Sequence, residues 1–399
     1  MVIETVKGFR DILSLEALKR KKLKEIIENK FILYGFSPIE TPSIEYEELL
    51  KSSEDEVVSD IFKLQDKGQR KLALRYEFTG QLARIFKENS TIKLPFKRYQ
   101  IGSVFRDEPA KPGRYREFTQ CDVDIIGDSN ISADAECLAL ANDIFNELKI
   151  KVNIKINNRK LLNSIIKSLN ISEISSVIRE VDKLDKLPLE EVKNNISKLA
   201  NKEKTDKLFL LFKKDIDYFV KNNFEGASEL KELMNLCNNY KIKVEFIPSL
   251  ARGFSYYTGN VWEIKSEKAK FTITAGGRYD KVVGKYLNRE IPAVGISFGL
   301  DRISEIVDIK PEPTKVLIIS LNEDKESINL IKKLRESNIS CSIMFGKISK
   351  AMEYANSYNI QNVIFVGKEE IKKKKFKLRD MKTGKESYFA LTGIIKKLK

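Results

Sequence analysis

The chain has 399 residues and a formal net charge of +15, from 72 Lys and Arg against 57 Asp and Glu. Its length predicts two or three domains, and its charge favours a polyanionic partner such as a nucleic acid. A lysine-rich composition bias explains the same charge equally well. Histidine is absent, which excludes every mechanism that uses a protein imidazole as base, nucleophile or metal ligand.

The cysteines and the apolar runs indicate the cellular compartment of the protein. Cys121, Cys137, Cys237 and Cys341 lie far apart and form no pair with metal-ligand or redox spacing. We therefore predict small core residues in a reducing compartment. The start, MVIETVKGFRDIL, lacks the pattern of a secretory signal, and no apolar run approaches the roughly 20 residues that cross a membrane. We expect a cytoplasmic protein without a membrane span.

The first part of the chain predicts helices and an antiparallel strand pair. Apolar residues recur at helical spacing from Ser14, and Gly35 closes that helix. Further elements are a helix over 79–90, strands over 96–106 and 114–127, a helix over 132–148 capped by Ser132, and a strand over 152–157.

Composition shifts at about residue 158. From there to about residue 240 the pattern is helical, rich in Lys and Asn and poor in glycine, which predicts a helical insertion. Strands return in VEFIPSLARGFSYYTGNVWEI and FTITAGGRYD, and AVGISFGLDRI predicts a strand that runs into a helix.

Residues 310–315, KPEPTK, are typical of a linker. Beyond them the strands VLIIS, CSIMF and NVIFVG alternate with helices over 324–337 and 349–359. This alternation predicts a small α/β domain with a largely parallel sheet. The run KKKKFK at 372–377 is either an RNA contact or a solvated charged loop.

The densest chemical signal is a predicted hairpin, VFRDEPAKPGRYREFTQ, over residues 104–120. Arg106, Arg114 and Arg116 lie on either side of its loop. Guanidinium groups bind phosphate oxygens through paired donors and stay charged at any relevant pH, and a strand pair is a rigid platform for them. On charge pattern alone, the alternative is a solvated hairpin in which nearby carboxylates pair with the arginines.

The same stretch carries a family resemblance. LPFKRYQIGSVFRDEPAKPGRYREFTQCDVDIIG resembles motif 2 of the histidyl-tRNA synthetases, a family of class II aminoacyl-tRNA synthetases. LALRYEFTGQLAR resembles the family's amino-acid-binding strand and helix, and LARGFSYYTGNVWE and AGGRYDKVVG resemble its two signatures. GFSPIETPSIEY resembles the interface-forming motif 1, PAVGISFGLDRI resembles motif 3, and TKVLIISL through DMKTGKE resembles the anticodon-binding domain.

The resemblance implies an α+β fold, with an antiparallel sheet flanked by helices, a helical insertion and a C-terminal α/β anticodon-binding domain. We assign residues 1–157 and 241–309 to the catalytic domain, 158–240 to the insertion and 315–399 to the anticodon-binding domain. The implied activity is that of a histidine–tRNA ligase, which activates histidine with ATP and transfers it to tRNA(His). The family also implies a homodimer that uses ATP and Mg²⁺.

The ATP-binding residues follow from the resemblance. Arg106 matches the arginine that binds the α-phosphate, and Arg114 and Arg302 match those that bind the outer phosphates. Phe118 matches the aromatic residue that stacks on adenine, and Glu108 matches an acid near the adenine end. The nucleophile is the histidine carboxylate, which is already an anion, so a chain without histidine can run this reaction.

Arg252 matches an arginine that contacts both the amino acid and the α-phosphate, where other class II enzymes use an extra metal ion. The alternative is a structural arginine in a tight turn. We take Arg252 and Arg106 as the catalytic cations, and no metal ligand is assigned.

The resemblance also implies the residues that bind the backbone of the amino acid. Glu77 and Thr79 match residues that hold the α-ammonium, and Gln120 matches one that orients the amino acid. We predict that Gly276 and Gly277 let the main chain approach the substrate, against the alternative of a simple turn.

The imidazole pocket is implied by Asp124 and the pair Tyr256 and Tyr257. A carboxylate and a hydroxyl placed at the two ring nitrogens can recognise the imidazole by hydrogen bonds, although core packing is the alternative for the tyrosines.

The sequence departs from the family pattern at several positions. Asp124 stands where many bacterial members carry Glu, and Ser255 stands where the signature usually has Asp. The loop 107–113 differs from the common bacterial RPQKG, so the preference at the tRNA acceptor end stays open.

Two other function classes fit parts of the sequence. A non-catalytic paralogue that serves as a regulatory subunit in histidine biosynthesis typically lacks the C-terminal domain and departs from the RG-x-x-YYTG signature. This chain carries both features. An RNA-binding module explains the charge but leaves the ordered arginines unexplained.

Overall fold

The computed structural model of the protein describes residues 3–50, 60–89, 91–110, 113–252, 256–269, 271–287, 289–310 and 314–399. The chain divides into two compact units. The first comprises Met1–Asp11 and Arg20–Asp308, and the second comprises Ile12–Lys19 and Ile309–Lys399.

The first unit is built around a large β-sheet. Its described strands are β1 (Ser37–Pro38), β2 (Ile44–Tyr46), β3 (Lys63–Gln65), β4 (Lys71–Leu74), β5 (Phe96–Phe105), β6 (Glu117–Ile126), β7 (Val152–Asn158), β8 (Val244–Phe246), β9 (Asn260–Ser266), β10 (Thr272–Arg278) and β11 (Ala293–Gly299). The large sheet has the order β1-β5-β6-β11-β10-β9-β7-β8, and β2, β4 and β3 form a separate small sheet. The sequence analysis did not predict the small sheet.

The pairing within the large sheet is antiparallel except at its two edges. The neighbours from β5 to β7 all run antiparallel, whereas β1 pairs parallel with β5 and β8 with β7. Pro38 lies in the edge strand β1, where the missing N–H costs no bond in the interior of the sheet. The predicted antiparallel sheet is confirmed, and β6 lies near its centre, between β5 and β11.

The described helices of the chain up to residue 308 are α1 (Ser14–Leu33), α2 (Glu47–Leu50), α3 (Gly80–Glu88), α4 (Ile131–Glu147), α5 (Arg159–Ser168), α6 (Ile174–Val181), α7 (Leu189–Ala200), α8 (Lys202–Leu211), α9 (Ile216–Lys221), α10 (Ala227–Asn239) and α11 (Leu300–Ile306). In α1, Leu23, Ile27 and Phe31 recur every four residues and are buried, as expected for one apolar face. The Phe31 ring lies 5.5 Å from the Tyr99 ring and 5.7 Å from the Phe298 ring, so this face packs on β5 and β11.

The predicted N-cap of α4 is wrong. Helix α4 begins at Ile131 with Asn130 at the N-cap position, whereas the sequence analysis placed the cap at Ser132. Either residue type is a common cap, and spacing alone could not distinguish two polar residues so close together.

Helices α5 to α10 occupy the segment that the composition predicted as helical. Its start is marked by Asn158, whose side chain accepts hydrogen bonds from the amides of Lys160 at 2.8 Å and Leu161 at 3.4 Å. Between α6 and α7 lies a 3₁₀ turn, Asp182–Asp185. The division into domains at 157, 240 and 309 stays a prediction.

The second unit contains a mixed sheet. Its described elements are β12 (Val316–Ser320), α12 (Asp324–Glu336), β13 (Cys341–Phe345), α13 (Ile348–Ser357), β14 (Asn362–Val366), α14 (Lys368–Lys373), β15 (Phe376–Asp380), β16 (Glu386–Phe389) and α15 (Leu391–Leu398). β12 pairs parallel with β13 and β14, but β14–β15 and β15–β16 are antiparallel. The expectation of a largely parallel sheet is therefore wrong for its second half. Residues 372–377 belong to the end of α14 and the start of β15, and β15 then forms a hairpin with β16.

The prediction that the cysteines are core residues is confirmed for three of the four. All four cysteines are free; Cys121, Cys137 and Cys237 are buried and Cys341 is half-buried. Within the described part of the chain, no helix has the length and apolar character needed to cross a membrane.

Candidate active site

A cavity of about 850 Å³ opens on the large sheet of the first unit. Residues of β6, β10, β11 and the start of α11 line it, together with the turn Asp182–Asp185. The predicted site residues on its wall are Glu77, Thr79, Arg106, Glu108, Arg114, Phe118, Gln120, Asp124, Arg252, Tyr256, Tyr257, Gly276 and Arg302. Gly277 is not among its described lining residues.

Strand β6 supplies a row of side chains to this cavity. Phe118, Gln120, Asp122 and Asp124 all line it, because alternate residues of a strand project to the same face. Gly295 of β11 lies opposite Asp124 in the strand register, and a Cβ there would lie 2.0 Å from Asp124 Oδ1. A glycine at this position is what leaves room for the carboxylate.

Asp124 is held by two partners. Arg98, which is fully buried, places its Nη2 atom 2.5 Å from Asp124 Oδ2. The Tyr279 hydroxyl donates a hydrogen bond to Asp124 Oδ1. Burial raises the pKa of Asp124, and the Arg98 charge opposes that rise. The carboxylate is therefore fixed in orientation and faces the cavity.

Glu77 and the two tyrosines form the neighbouring wall. The Tyr256 hydroxyl donates to Glu77 Oε2 at 3.1 Å, and the Tyr256 and Tyr257 rings are 4.9 Å apart. Burial raises the pKa of Glu77, while the Tyr256 hydrogen bond and the Arg106 charge lower it. Thr79 occupies the N-cap position of α3 but makes no capping hydrogen bond with its side chain. The tyrosines both pack in a hydrophobic cluster and line the cavity.

Arg252 is held by a carboxylate of β9. Its Nη1 atom lies 2.5 Å from Glu263 Oε1, and the Thr272 hydroxyl donates to Glu263 Oε2 at 3.1 Å. Burial acts to lower the pKa of Arg252, but the electrostatic interactions with Tyr257 and Glu263 and the Glu263 hydrogen bond outweigh it and raise that pKa. Arg252 therefore stays a cation inside the cavity, with its direction set by Glu263.

A chain of ion pairs connects Glu263 to the helical segment. Lys265 Nζ lies 3.8 Å from Glu263 Oε2 and also pairs with Asp185 in the turn between α6 and α7. In the same turn, burial raises the pKa of Asp182 and the charges of Lys186 and Arg252 lower it. The helical segment thus contributes directly to the wall beside Arg252.

Three arginines converge at the other end of the cavity. The Arg106 guanidinium lies 4.3 Å from the Tyr76 ring centre and 5.1 Å from that of Phe118. Arg302 donates to the Thr272 carbonyl at 2.7 Å, and Arg114 pairs with Glu108 at 3.1 Å.

The positive charges of Arg106 and Arg114 act unfavourably on Arg302. Burial lowers the pKa of Arg302, and the positive charges of Arg114 and Arg106 lower it further, against weaker opposing effects of Glu108 and Glu305. Like charges held this close are costly unless an anion neutralises them. The arrangement is suited to a polyanion such as a nucleotide triphosphate.

Asp301 anchors the arginine end of the site. It accepts hydrogen bonds from Arg10 at 2.9 Å, from Arg20 at 2.6 Å and from the Thr119 amide at 2.8 Å. This buried carboxylate joins the first turn of α11, which carries Arg302, to β6 next to Phe118. Rigid anchoring of this kind keeps catalytic side chains in place.

The two glycines of β10 have a packing explanation. A Cβ on Gly276 would lie 2.2 Å from the Gly295 carbonyl oxygen and 2.7 Å from Trp262 Nε1. A Cβ on Gly277 would lie 2.6 Å from the Asn260 carbonyl oxygen and would also meet the Tyr257 ring. Close strand packing therefore requires both glycines, and their approach to a substrate stays a prediction.

Some predictions concern residues outside the described part of the chain, namely Ser255 and positions 111–112 of the loop 107–113. Conversely, the sequence analysis missed Arg98, Asp122, Glu263, Tyr279 and Asp301 as members of the site. All five lie within the motif stretches of the sequence, and Asp122 also alternates with Gln120 and Asp124 along a predicted strand.

The sequence matches known families over almost its full length. A sequence model described as Histidyl-tRNA synthetase matches residues 8–303, and one described as Anticodon binding domain matches residues 315–399. Histidine–tRNA ligase 1 of Bacillus cereus is 37% identical over 99% of this chain and 97% of its own length. Histidine–tRNA ligase of Helicobacter pylori is 33% identical over 96% of this chain and 94% of its own.

Solved structures agree with these matches. The histidyl-tRNA synthetase from Nostoc sp. PCC 7120 has a TM-score of 0.88 at 28% identity, covering 100% of this chain and 99% of that one. A Bacillus halodurans structure described as an ATP phosphoribosyltransferase regulatory subunit/histidyl-tRNA synthetase shares the fold, with a TM-score of 0.80 at 23% identity and coverage of 91% and 98%. The first family match includes every described residue of the cavity wall. The chain belongs to the histidyl-tRNA synthetase family.

Proposed function

We propose that this protein is a histidine–tRNA ligase whose adenylation site is the cavity on the large sheet. It joins histidine to ATP to give histidyl-adenylate and pyrophosphate, and then transfers histidine to the 3′ end of tRNA(His). The observation that carries the proposal is the distribution of charge: Arg106, Arg114 and Arg302 line one end of the cavity, and carboxyl groups with tyrosines line the other.

The arginine end is suited to the triphosphate. Arg106 is proposed to hold the α-phosphate, and Arg114 and Arg302 the outer phosphates. Phe118 is proposed to stack on adenine, with Glu108 near the same ring. As the histidine carboxylate attacks the α-phosphorus, the bond to the bridging oxygen breaks and pyrophosphate leaves. Cations placed beforehand stabilise the charge on the phosphoryl oxygens.

The carboxylate end is suited to histidine. Glu77, Thr79 and Gln120 are proposed to hold the α-ammonium end of the substrate. Asp124 and the Tyr256–Tyr257 pair are proposed to flank the imidazole. Asp124 is fixed by Arg98 and Tyr279, so an analogue without ring nitrogens leaves buried polar groups unpaired. Such sites can discriminate by about 10⁴–10⁵-fold without editing.

Arg252 is proposed to connect the two ends, contacting both the amino acid and the α-phosphate. The Glu263 contact holds it in a fixed direction. Mg²⁺ is proposed to arrive with the ATP phosphates. Among the described residues, no three carboxylate or thiolate side chains come together to hold a metal ion, so we derive no step through a metal.

The oligomeric state and the cellular compartment are also part of the proposal. We propose a homodimer in the cytoplasm, with residues 315–399 reading the anticodon. Exposed apolar side chains in the motif 1 segment support the dimer, since Ile44 and Tyr46 of β2 are 48% and 58% exposed and exposed apolar patches are typical of interfaces.

ATP–pyrophosphate exchange with each amino acid in turn tests the proposed function. We expect exchange with histidine alone, and a loss of about 10²–10³-fold in rate for Arg252→Ala, as for other preorganised electrostatic contacts. Arg179→Ala, an exposed arginine of α6, is the matched control and should keep full activity. If no amino acid supports exchange, the non-catalytic paralogue becomes the better explanation.

A further inference from the structure

Asp122 lies in the middle of the row of β6 side chains that lines the cavity, between Gln120 and Asp124. It is buried, with 6% of its surface exposed, yet it contributes to the cavity wall. In the strand register it lies opposite Gln100 of β5 and Ser297 of β11. Neither the resemblance nor the proposed function gives this carboxyl group a role.

Three carboxyl groups lie on the wall at this end of the cavity. Glu77 from the segment before α3, and Asp122 and Asp124 from β6, all feel the charge of Arg98 on β5. Arg98 makes its close ion pair with Asp124. Ser297 on β11 is polar but uncharged. Closely placed carboxylates that share a cation do not all ionise at the same pH.

Burial raises the pKa of Asp122 to about 7, and the charges of Asp124 and Glu77 add to that rise against the effect of Arg98 and of the Ser297 hydrogen bond. A proton on Asp122 also agrees with its neighbours. The side-chain oxygens of Gln100 and Gln120 are buried and have no hydrogen-bond donor among the described residues. Side chains directly opposite or adjacent on one sheet face are within reach of each other. A protonated carboxyl group can donate to such an oxygen, and an ionised one cannot.

We propose that Asp122 is a further histidine-binding residue, which carries a proton in the free enzyme and releases it when the α-ammonium of histidine enters beside Glu77 and Gln120. This inference rests on the proposed function. The exchange balances in charge: the neutral carboxyl group becomes a carboxylate, the ammonium takes the place of the proton, and the proton passes to the buffer. Gln120 Nε2 donates to Asp122 Oδ1 at 3.5 Å, so Asp122 lies next to the residue proposed to orient the amino acid.

The absence of histidine from the chain makes the proton release measurable. No protein imidazole titrates near neutral pH, so the imidazole of the substrate, with a pKa of about 6.5, is the other source to separate. A substrate analogue that lacks the α-ammonium, 3-(imidazol-4-yl)propionate, keeps the ring and removes the group that displaces the proton.

Titration calorimetry at pH 7 in buffers of different ionisation enthalpy counts the protons released per ligand bound. We expect the wild-type enzyme to release about half a proton more with L-histidine than Asp122→Asn does, since a group near its pKa is about half protonated. With the propionate analogue, the two proteins should release the same number. We also expect Asp122→Asn to weaken histidine binding by about tenfold at pH 8 and less at pH 6.

The outcomes separate this inference from the proposed function. Histidine binding with equal proton counts in the wild type and Asp122→Asn overturns the role of Asp122 and leaves the ligase assignment intact. If the variant does not fold, the wild type alone decides, because equal release with histidine and with the propionate analogue also overturns the role. A wild-type enzyme that binds no histidine contradicts the proposed function itself.

Discussion

At the scale of single residues, unfavourable electrostatic interactions in the cavity lower the stability of the free protein. The positive charges of Arg106 and Arg114 lower the pKa of Arg302, and the half-buried Glu77 interacts with the buried carboxyl groups of Asp122 and Asp124. Ligands that bring negative charge to the arginine end and positive charge to the carboxyl end remove these unfavourable interactions. Sites of this kind trade stability of the free protein for binding and catalysis.

Substitution of Arg302 tests this account of the phosphate end. Arg302→Met should weaken ATP binding by about tenfold or more, because a charge-assisted contact to phosphate is lost, while the free protein keeps its stability because repulsion is relieved. Thermal unfolding with and without ATP measures both effects. The exposed Arg179→Met is the control, and an ATP-induced shift in Arg302→Met equal to that of wild type would contradict the assignment.

Glu263 is predicted to act through Arg252. Glu263→Gln keeps the shape of the side chain but removes the charge that lies 2.5 Å from the Arg252 guanidinium. We expect kcat for histidine activation to fall by about tenfold or more with little change in the KM for ATP, because loss of preorganisation affects the transition state more than substrate binding. Glu245→Gln, an exposed position on β8, is the control. Equal kcat in Glu263→Gln and wild type would show that Arg252 needs no such support.

At the scale of elements, strand β6 organises the site because both neighbouring strands place residues next to its Asp124. β5 brings Arg98 opposite Asp124, and β11 brings Gly295 to the other side of the same residue. The helical segment reaches the cavity at the end of α6 and at the following turn, Asp182–Asp185, whose Asp185 pairs with Lys265.

The Lys265–Asp185 pair is predicted to hold that turn in place locally. Both side chains are partly exposed, so the pair should contribute less than about 1 kcal/mol to global stability. Lys265→Met and Asp185→Asn should each speed amide hydrogen exchange at residues 182–186, and the double variant should add little further. Exchange in α7 serves as the internal control. Unchanged exchange in the turn would mean that other contacts hold it.

Elements with strong local patterns could be predicted from the sequence. The strands over 96–106 and 114–127 and the helix from Ser14 are confirmed, because each has a long periodic pattern. The predicted cap at Ser132 was wrong because the local sequence does not distinguish neighbouring polar residues. The predicted largely parallel sheet was wrong because strand direction cannot be inferred from the local sequence pattern. The small sheet was missed because its strands have three or four residues each.

The site was predictable where the resemblance gives a residue a role, as for Phe118, Gln120 and Asp124. Arg98 and Tyr279 also lie within the recognised motif stretches, but no role was assigned to them. Arg98 meets Asp124 through the register of β5 and β6, and Tyr279, which follows β10, reaches it through a hydrogen bond. Asp122 could have been found by applying the two-residue period of a strand to the predicted segment.

At the scale of the whole molecule, the buried carboxyl groups predict how stability depends on pH. Burial raises the pKa of Asp122 from its ordinary value to about 7. Between about pH 4 and pH 7, the folded protein therefore keeps a proton that the unfolded chain loses, so this group lowers stability as pH rises through that window.

Asp122→Asn removes this loss, because an amide does not ionise. The fall in unfolding free energy of the free enzyme from pH 5 to pH 8 should be smaller in the variant by on the order of 1 kcal/mol or more. Chemical denaturation at the two pH values measures it, with the exposed Asp217→Asn as control. An identical pH dependence in Asp122→Asn and wild type would show that Asp122 is ionised throughout.

Aminoacylation of a tRNA(His) transcript with labelled histidine tests the central claim most directly. The account predicts that the wild-type protein charges this tRNA with histidine and with no other amino acid, and that Arg252→Ala loses about 10²–10³-fold in rate. A folded wild-type protein that binds ATP and histidine but forms no histidyl-tRNA would contradict the account.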